Sequence, residues 1–224
     1  MKLSHLIHLI FYIIGLIFCL YGLLSEEISN EFIDKLKKQP EKILYFSYNA
    51  LILTIAMIIW GILAIFTLPF KQINHHIRRI HSLNAYITFG SETIVVLVYW
   101  PLNYVNNIPD FLLPYKDNHI LPPLKQFSIH IFPFIICLIE VFTCRINRGY
   151  LKYFGMLLVG IIYIVILIVY IQLYGSPYPY NFMYKTNLLY IPLLNLVLTS
   201  IAIISIKFIS FIRELFQKKT VINE

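Results

Sequence analysis

Six long apolar stretches constrain this chain more than any other feature of its sequence. A helix of about 20 apolar residues crosses a bilayer, because it satisfies its own backbone hydrogen bonds where no water is present. Charged residues make up only 13% of the 224 residues, against about 25% in soluble proteins. The sequence therefore predicts an all-α, polytopic membrane protein, a bundle of six transmembrane helices in a single domain over 1–224. The predicted spans are 3–24, 43–68, 83–103, 124–144, 154–174 and 188–212.

The distribution of basic residues predicts how the bundle is oriented. The first apolar stretch follows a single lysine and does not end in a small-residue cleavage site, which favours a retained helix over a cleaved signal peptide. Lysine and arginine are more frequent in the segments that share a side with the two termini than in the opposite loops. Because cytosolic segments of membrane proteins are enriched in these residues, both termini are expected in the cytosol.

The net charge of +7 does not indicate nucleic-acid binding. The basic residues flank the spans, where they would face anionic lipid, and no RNA-binding or helix-turn-helix pattern is present. Three histidines beside arginines allow a metal site as one interpretation, but no carboxylate or cysteine is paired with them. A solvated basic surface is favoured, with no metal or cofactor predicted. These histidines are His75, His76 and His81.

A lone histidine near the outer end of the fourth predicted span requires an explanation, because an ionisable side chain is costly in hydrocarbon. Ser47 lies a few residues into the second span, which enters from the same side as His130. The two residues are expected at matched depth if these spans pack side by side. A hydroxyl beside an imidazole is the minimum nucleophile–base pair for attack on an acyl carbon. The alternative is that His130 and Ser47 only join helices by hydrogen bonds.

Four further polar residues are candidates for the same chemistry. Thr54 is a rival nucleophile, seven residues deeper than Ser47. Asn49 and Asn103, near the outer ends of their spans, could polarise an ester carbonyl or orient a base, or could hold helices together. Glu92 lies well inside the third span, where a carboxyl group should be protonated, paired or facing a wet cavity. Its role could be functional or structural.

Several pieces of the chain, in order over about residues 40–212, resemble the family of androgen-induced gene proteins and androgen-dependent TFPI-regulating proteins. Residues 89–104 are similar to the family's third span, which closes with an aromatic pair and a polar aromatic turn. The Leu-Pro-Pro-Leu of 121–124, followed by His130 and by the Leu-Ile-Glu of 138–140, is similar to the family's fourth span. Gly175 with Tyr178 and Pro179 resembles a further loop of the family.

The resemblance implies a function for the chain. Members of this family are six-span proteins of the endoplasmic reticulum and plasma membranes that hydrolyse fatty acid esters of hydroxy fatty acids with a threonine and a histidine. It therefore implies that His130 is catalytic and that the substrate is a lipid. In the family's Thr-x-x-Asn pattern Asn49 matches the asparagine, Phe46 stands at the threonine, and Ser47 supplies a hydroxyl one residue later.

Two hypotheses for function follow. The first is a membrane-embedded hydrolase of long-chain acyl esters, with His130 as base, Ser47 as nucleophile and Asn49 in support. The second is a non-enzymatic multipass protein, either a carrier of lipid or small molecules or a signalling partner, in which Glu92 would line a translocation path. Neither broken helices nor a pair of repeats, which many transporters contain, is visible in the sequence.

Overall fold

Most of the described residues form helices. A computed structural model describes residues 3–24, 45–104, 123–144, 149–174 and 190–222. Within these residues no strand is present, which confirms the predicted all-α fold. The helices are α1 Leu3–Leu24, α2 Phe46–Phe66, α3 Lys71–Tyr104, α4 Pro123–His130, α5 Phe132–Thr143, α6 Leu151–Tyr174 and α7 Tyr190–Ile222.

Five helical segments are long and apolar enough to cross a membrane, so the protein is an integral, multi-pass membrane protein. Many of their large apolar side chains point outward, such as Ile17 and Phe208, which are 61% and 63% exposed. Such a surface fits lipid rather than water. Four segments belong to α1, α2, α6 and α7, and Leu124–Thr143 joins α4 to α5.

Helix α3 holds the remaining predicted span, 83–103, and is not one of the five segments. It has 34 residues, and at about 1.5 Å per residue it is longer than a bilayer core is thick. Its first turns carry lysine, arginine and histidine, and its middle carries Glu92. The crossing of the membrane by 83–103 therefore stays a prediction.

Helix α3 is the centre of the bundle. It packs against α2, α5, α6 and α7, while α1 packs against α2, α4 and α5. Residues 88–95 of α3 are all buried. We call the end of the bundle that holds residues 67–70 the turn end and the opposite end, where α2 begins, the loop end. Helices α2, α4 and α5 run from the loop end to the turn end, and α3 runs the other way.

The fourth predicted span is interrupted next to His130. Helix α4 ends at His130 and α5 begins at Phe132, with Pro133 in its first turn. Proline has no backbone N–H, so the helical bond to the carbonyl of Ile129 cannot form. The amide of Ile131 still donates to the carbonyl of Phe127 at 3.1 Å. The chain therefore keeps its helical path across the interruption.

Helices α6 and α7 meet closely at Gly160. The Asn195 side-chain amide donates to the Gly160 carbonyl at 3.1 Å, and a β-carbon at Gly160 would lie 2.5 Å from the Thr199 hydroxyl oxygen. Small residues allow such close approach between membrane helices, where packing replaces the hydrophobic effect as the source of stability. The short distance between α6 and α7 therefore requires glycine at position 160.

We expect Gly160→Val to destabilise the protein, because the added side chain must push α7 away. The free energy of unfolding should fall by about 1–3 kcal/mol, measured by reversible unfolding in mixed detergent micelles. Ser200→Val is the matched control, since Ser200 is an exposed residue of α7 that bonds only its own helix. Equal stability of the two variants would contradict the close approach.

Candidate functional site

Three polar side chains from three helices meet in the middle of the bundle. Glu92 of α3 and Thr54 of α2 have no exposed surface. The Thr54 hydroxyl donates to Glu92 Oε1 at 2.7 Å, and the Ala50 carbonyl lies 3.1 Å from the same hydroxyl. Cys137 of α5 completes the group, with its sulfur 3.8 Å from Thr54 Oγ1. We call Thr54, Glu92 and Cys137 the Glu92 cluster.

The Glu92 carboxyl group is only half satisfied by these contacts. Its second oxygen, Oε2, is buried and has no hydrogen-bond partner in the part of the chain that the structure describes. A buried polar atom without a partner is costly in hydrocarbon, and such atoms are rare in native proteins. The sequence left the role of Glu92 open between function and structure. In the structure, Oε1 of Glu92 accepts a hydrogen bond from Thr54, and Oε2 is left for a ligand, a proton or water.

The Glu92 cluster also sets the register between α2 and the α4–α5 segment. These helices run in the same direction, and the contact of Thr54 with Cys137 puts those two residues at one level. Ser47 and His130 each lie seven residues earlier on their own helix. Seven residues are nearly two full turns, or about 10 Å. Ser47 and His130 therefore lie at similar depth nearer the loop end, as the sequence predicts for neighbouring helices.

The candidate base and its candidate nucleophiles are not hydrogen-bonded to each other in this structure. His130 is 5% exposed, and Ser47 is half-buried in the first turn of α2. The hydroxyl of Thr54 is engaged by Glu92, and that of Thr93 donates to the Phe89 carbonyl at 2.7 Å. Among the described residues no hydrogen bond joins a hydroxyl of Ser47, Thr54 or Thr93 to His130.

The two candidate asparagines lie in different settings. The side-chain amide of Asn49 donates to the Tyr45 carbonyl at 3.1 Å, at the start of α2. Asn49 is two residues from Ser47, which turns it by about 200° around the helix. It therefore does not share the face of α2 on which Ser47 lies. Asn103 is in the last turn of α3, and its side chain lies outside the described residues.

The histidines that were expected on a solvated basic surface separate into two groups. His75 and His76 are exposed, as predicted. His81 is 6% exposed, so for this residue the prediction is wrong: its Nε2 lies 3.3 Å from Glu140 Oε2. The reason is that α3 is one continuous helix, in which His81 lies eleven residues before Glu92, about three turns away on the same inward face. No group of three or more metal-binding side chains occurs among the described residues.

Two residues of this region were not singled out from the sequence. Cys137 was interpreted as a small apolar residue, although its distance of seven residues from His130 equals that between Ser47 and Thr54. That equal spacing is the feature of the sequence that could have indicated a role for Cys137. Ser128 lies next to Ile129 in α4, and its hydroxyl is buried without a hydrogen-bond partner in the described part of the chain. It is two residues from His130, about 200° around the helix, so it does not share the face of the imidazole.

No protein-family model matches the chain, and neither a curated protein nor a solved structure matches it.

We expect Thr54→Val to destabilise the protein, because the variant keeps the shape of threonine and leaves Glu92 Oε1 buried without a donor. The free energy of unfolding should fall by about 1–3 kcal/mol, measured in mixed detergent micelles. The control is Thr143→Val, since Thr143 is exposed and its hydroxyl bonds only carbonyls of its own helix. A Thr54 variant as stable as the Thr143 variant would show that the Glu92 cluster does not hold the helices together.

Proposed function

We propose that the protein is a membrane-embedded hydrolase of long-chain acyl esters, with His130 as the base and Ser47 as the nucleophile. The proposal extends to membership of the family that the sequence resembles, and to fatty acid esters of hydroxy fatty acids as the substrate class. Its reaction needs no metal or organic cofactor. The lipid substrate would reach the site from the bilayer.

One observation carries the proposal: the contact of 3.8 Å between Thr54 and Cys137. It fixes two neighbouring, parallel helices at a register that leaves Ser47 and His130 level with each other.

The reaction has two steps, and His130 transfers a proton in each. In the first, the Ser47 oxygen attacks the acyl carbon while His130 takes the hydroxyl proton and then gives it to the departing alcohol. In the second, water attacks the acyl-enzyme, His130 takes a proton from that water, and Ser47 recovers it as the fatty acid leaves. Asn49 has no step here, because its amide donates to the Tyr45 carbonyl.

We also propose that the turn end faces the cytosol and that the protein resides in the endoplasmic reticulum or the plasma membrane. The basis for the orientation is the excess of lysine and arginine on the side of the termini, following the positive-inside rule. The basis for the compartment is the family resemblance. The substrate site would then open towards the outer leaflet.

The hydrolase proposal is tested by ester turnover in membranes that contain single variants. We expect His130→Ala and Ser47→Ala each to lower kcat/KM by about 100-fold or more, the usual contribution of a positioned proton acceptor or nucleophile. A fluorophosphonate probe should label the wild type and fail to label Ser47→Ala. Ser200→Ala is the matched control, because that exposed serine lies on the lipid side of α7.

Other results would contradict the proposal in distinct ways. Turnover that survives in His130→Ala removes the mechanism. Labelling that persists in Ser47→Ala and is lost in Thr54→Val or in Ser128→Ala moves the nucleophile to that residue. No turnover and no labelling in the wild type would favour the second hypothesis, a lipid or small-molecule carrier or a signalling partner, with the half-satisfied carboxyl of Glu92 on its path.

A further inference from the structure

Two cations are buried side by side at the turn end, far from the proposed catalytic pair. Lys152 of α6 and Arg213 of α7 are 3% and 5% exposed. Both contact Tyr86 of α3: the Lys152 ammonium lies 4.4 Å from the ring centroid, and Arg213 Nη1 donates to the phenol oxygen at 3.3 Å. Lys152 also donates to the Ser210 hydroxyl at 2.9 Å. We call Lys152, Tyr86, Ser210 and Arg213 the two-cation site.

The described part of the chain offers the two cations of this site only one nearby carboxylate. The negative charge of the half-buried Glu214 acts on Lys152, but no described carboxylate lies within salt-bridge distance of either cation. Arg213 Nη2 donates to the Cys144 carbonyl, while its buried Nε has no hydrogen-bond partner among the described residues. Two like charges removed from water without a counter-ion destabilise a fold. One carboxylate for two cations therefore favours a further anion at this site.

The chemistry of the two side chains indicates which anion. A guanidinium group presents a planar set of N–H donors that matches phosphate oxygens, and an ammonium group adds a compact point charge. Basic pockets between transmembrane helices bind the headgroups of anionic lipids. Apolar side chains lie next to the site in sequence and are exposed, with Phe154 at 63% and Phe211 at 58%. These could carry the acyl chains of the same molecule.

We propose that the two-cation site binds a phosphate group, supplied by the headgroup of an anionic phospholipid in the leaflet at the turn end. Lys152 and the Nε side of Arg213 contact the phosphate oxygens, and Tyr86 holds the two cations beside each other. The bound headgroup joins α6 to α7 and to the central helix α3. This inference does not rest on the hydrolase proposal, because it concerns different residues at the opposite end of the bundle.

The test measures the thermal stability of the purified full chain in nanodiscs of phosphatidylcholine or of phosphatidylglycerol. We expect phosphatidylglycerol to raise the Tm of the wild type. We expect it to bind Lys152→Met about tenfold or more weakly than it binds the wild type, because one charge-assisted contact is lost. Methionine keeps the length of the lysine and removes its charge. Lys207→Met is the matched control, since Lys207 is an exposed cation of α7.

A second arm distinguishes the source of the phosphate. In a neutral detergent, inorganic phosphate is compared with chloride at equal ionic strength. Stabilisation by phosphate but not by phosphatidylglycerol, lost in Lys152→Met, assigns the site to a free phosphate and overturns the lipid assignment. If neither raises the Tm of the wild type, or if both stabilise Lys152→Met as much as Lys207→Met, the site itself is refuted. Lys152→Arg, which keeps the charge, must retain the response, and loss of the response in this variant also contradicts the proposal.

Discussion

The absence of water in the hydrocarbon core governs the structure of this protein. Backbone groups there must bond within the chain, so the described residues are helical. The same constraint acts on polar side chains, which need partners on neighbouring helices. Thr54 donates to Glu92 across the α2–α3 interface, and Lys152 donates to Ser210 across the α6–α7 interface. These contacts fix which helices are neighbours, whereas apolar surface alone would let them slide.

Helix α3 can hold the most polar middle of the bundle because other helices surround it. It packs against α2, α5, α6 and α7, so Glu92 and Tyr86 meet protein on every side and have no exposed surface. The lipid-facing helices α1 and α6 carry exposed isoleucine and leucine instead. The polar contacts of the central helix determine which helices are neighbours. The apolar outer surface of the surrounding helices matches the membrane.

The two ends of the bundle differ in chemistry. Near the loop end, an imidazole and a hydroxyl lie at similar depth on parallel helices, which suits proton transfer in an apolar setting. At the turn end, two cations lie against one tyrosine with no described carboxylate within salt-bridge distance, which suits an anionic headgroup. Both proposals depend on α3 as a rigid spacer, since Glu92 sets the register for the first and Tyr86 joins the cations of the second.

The sequence by itself determined the helical class and, within three residues at each end, the bounds of α1, α2 and α6, and it predicted the matched depth of Ser47 and His130. Apolar length and position along a helix are local properties, so hydropathy and the rise per residue suffice to obtain them. Only the tertiary structure decided which residues meet around a helix. It brought Cys137 to Thr54, turned His81 inward to Glu140 and placed Lys152 and Arg213 on the same tyrosine. Rotation and choice of neighbour depend on packing between segments far apart in the chain, which no periodicity within one segment records.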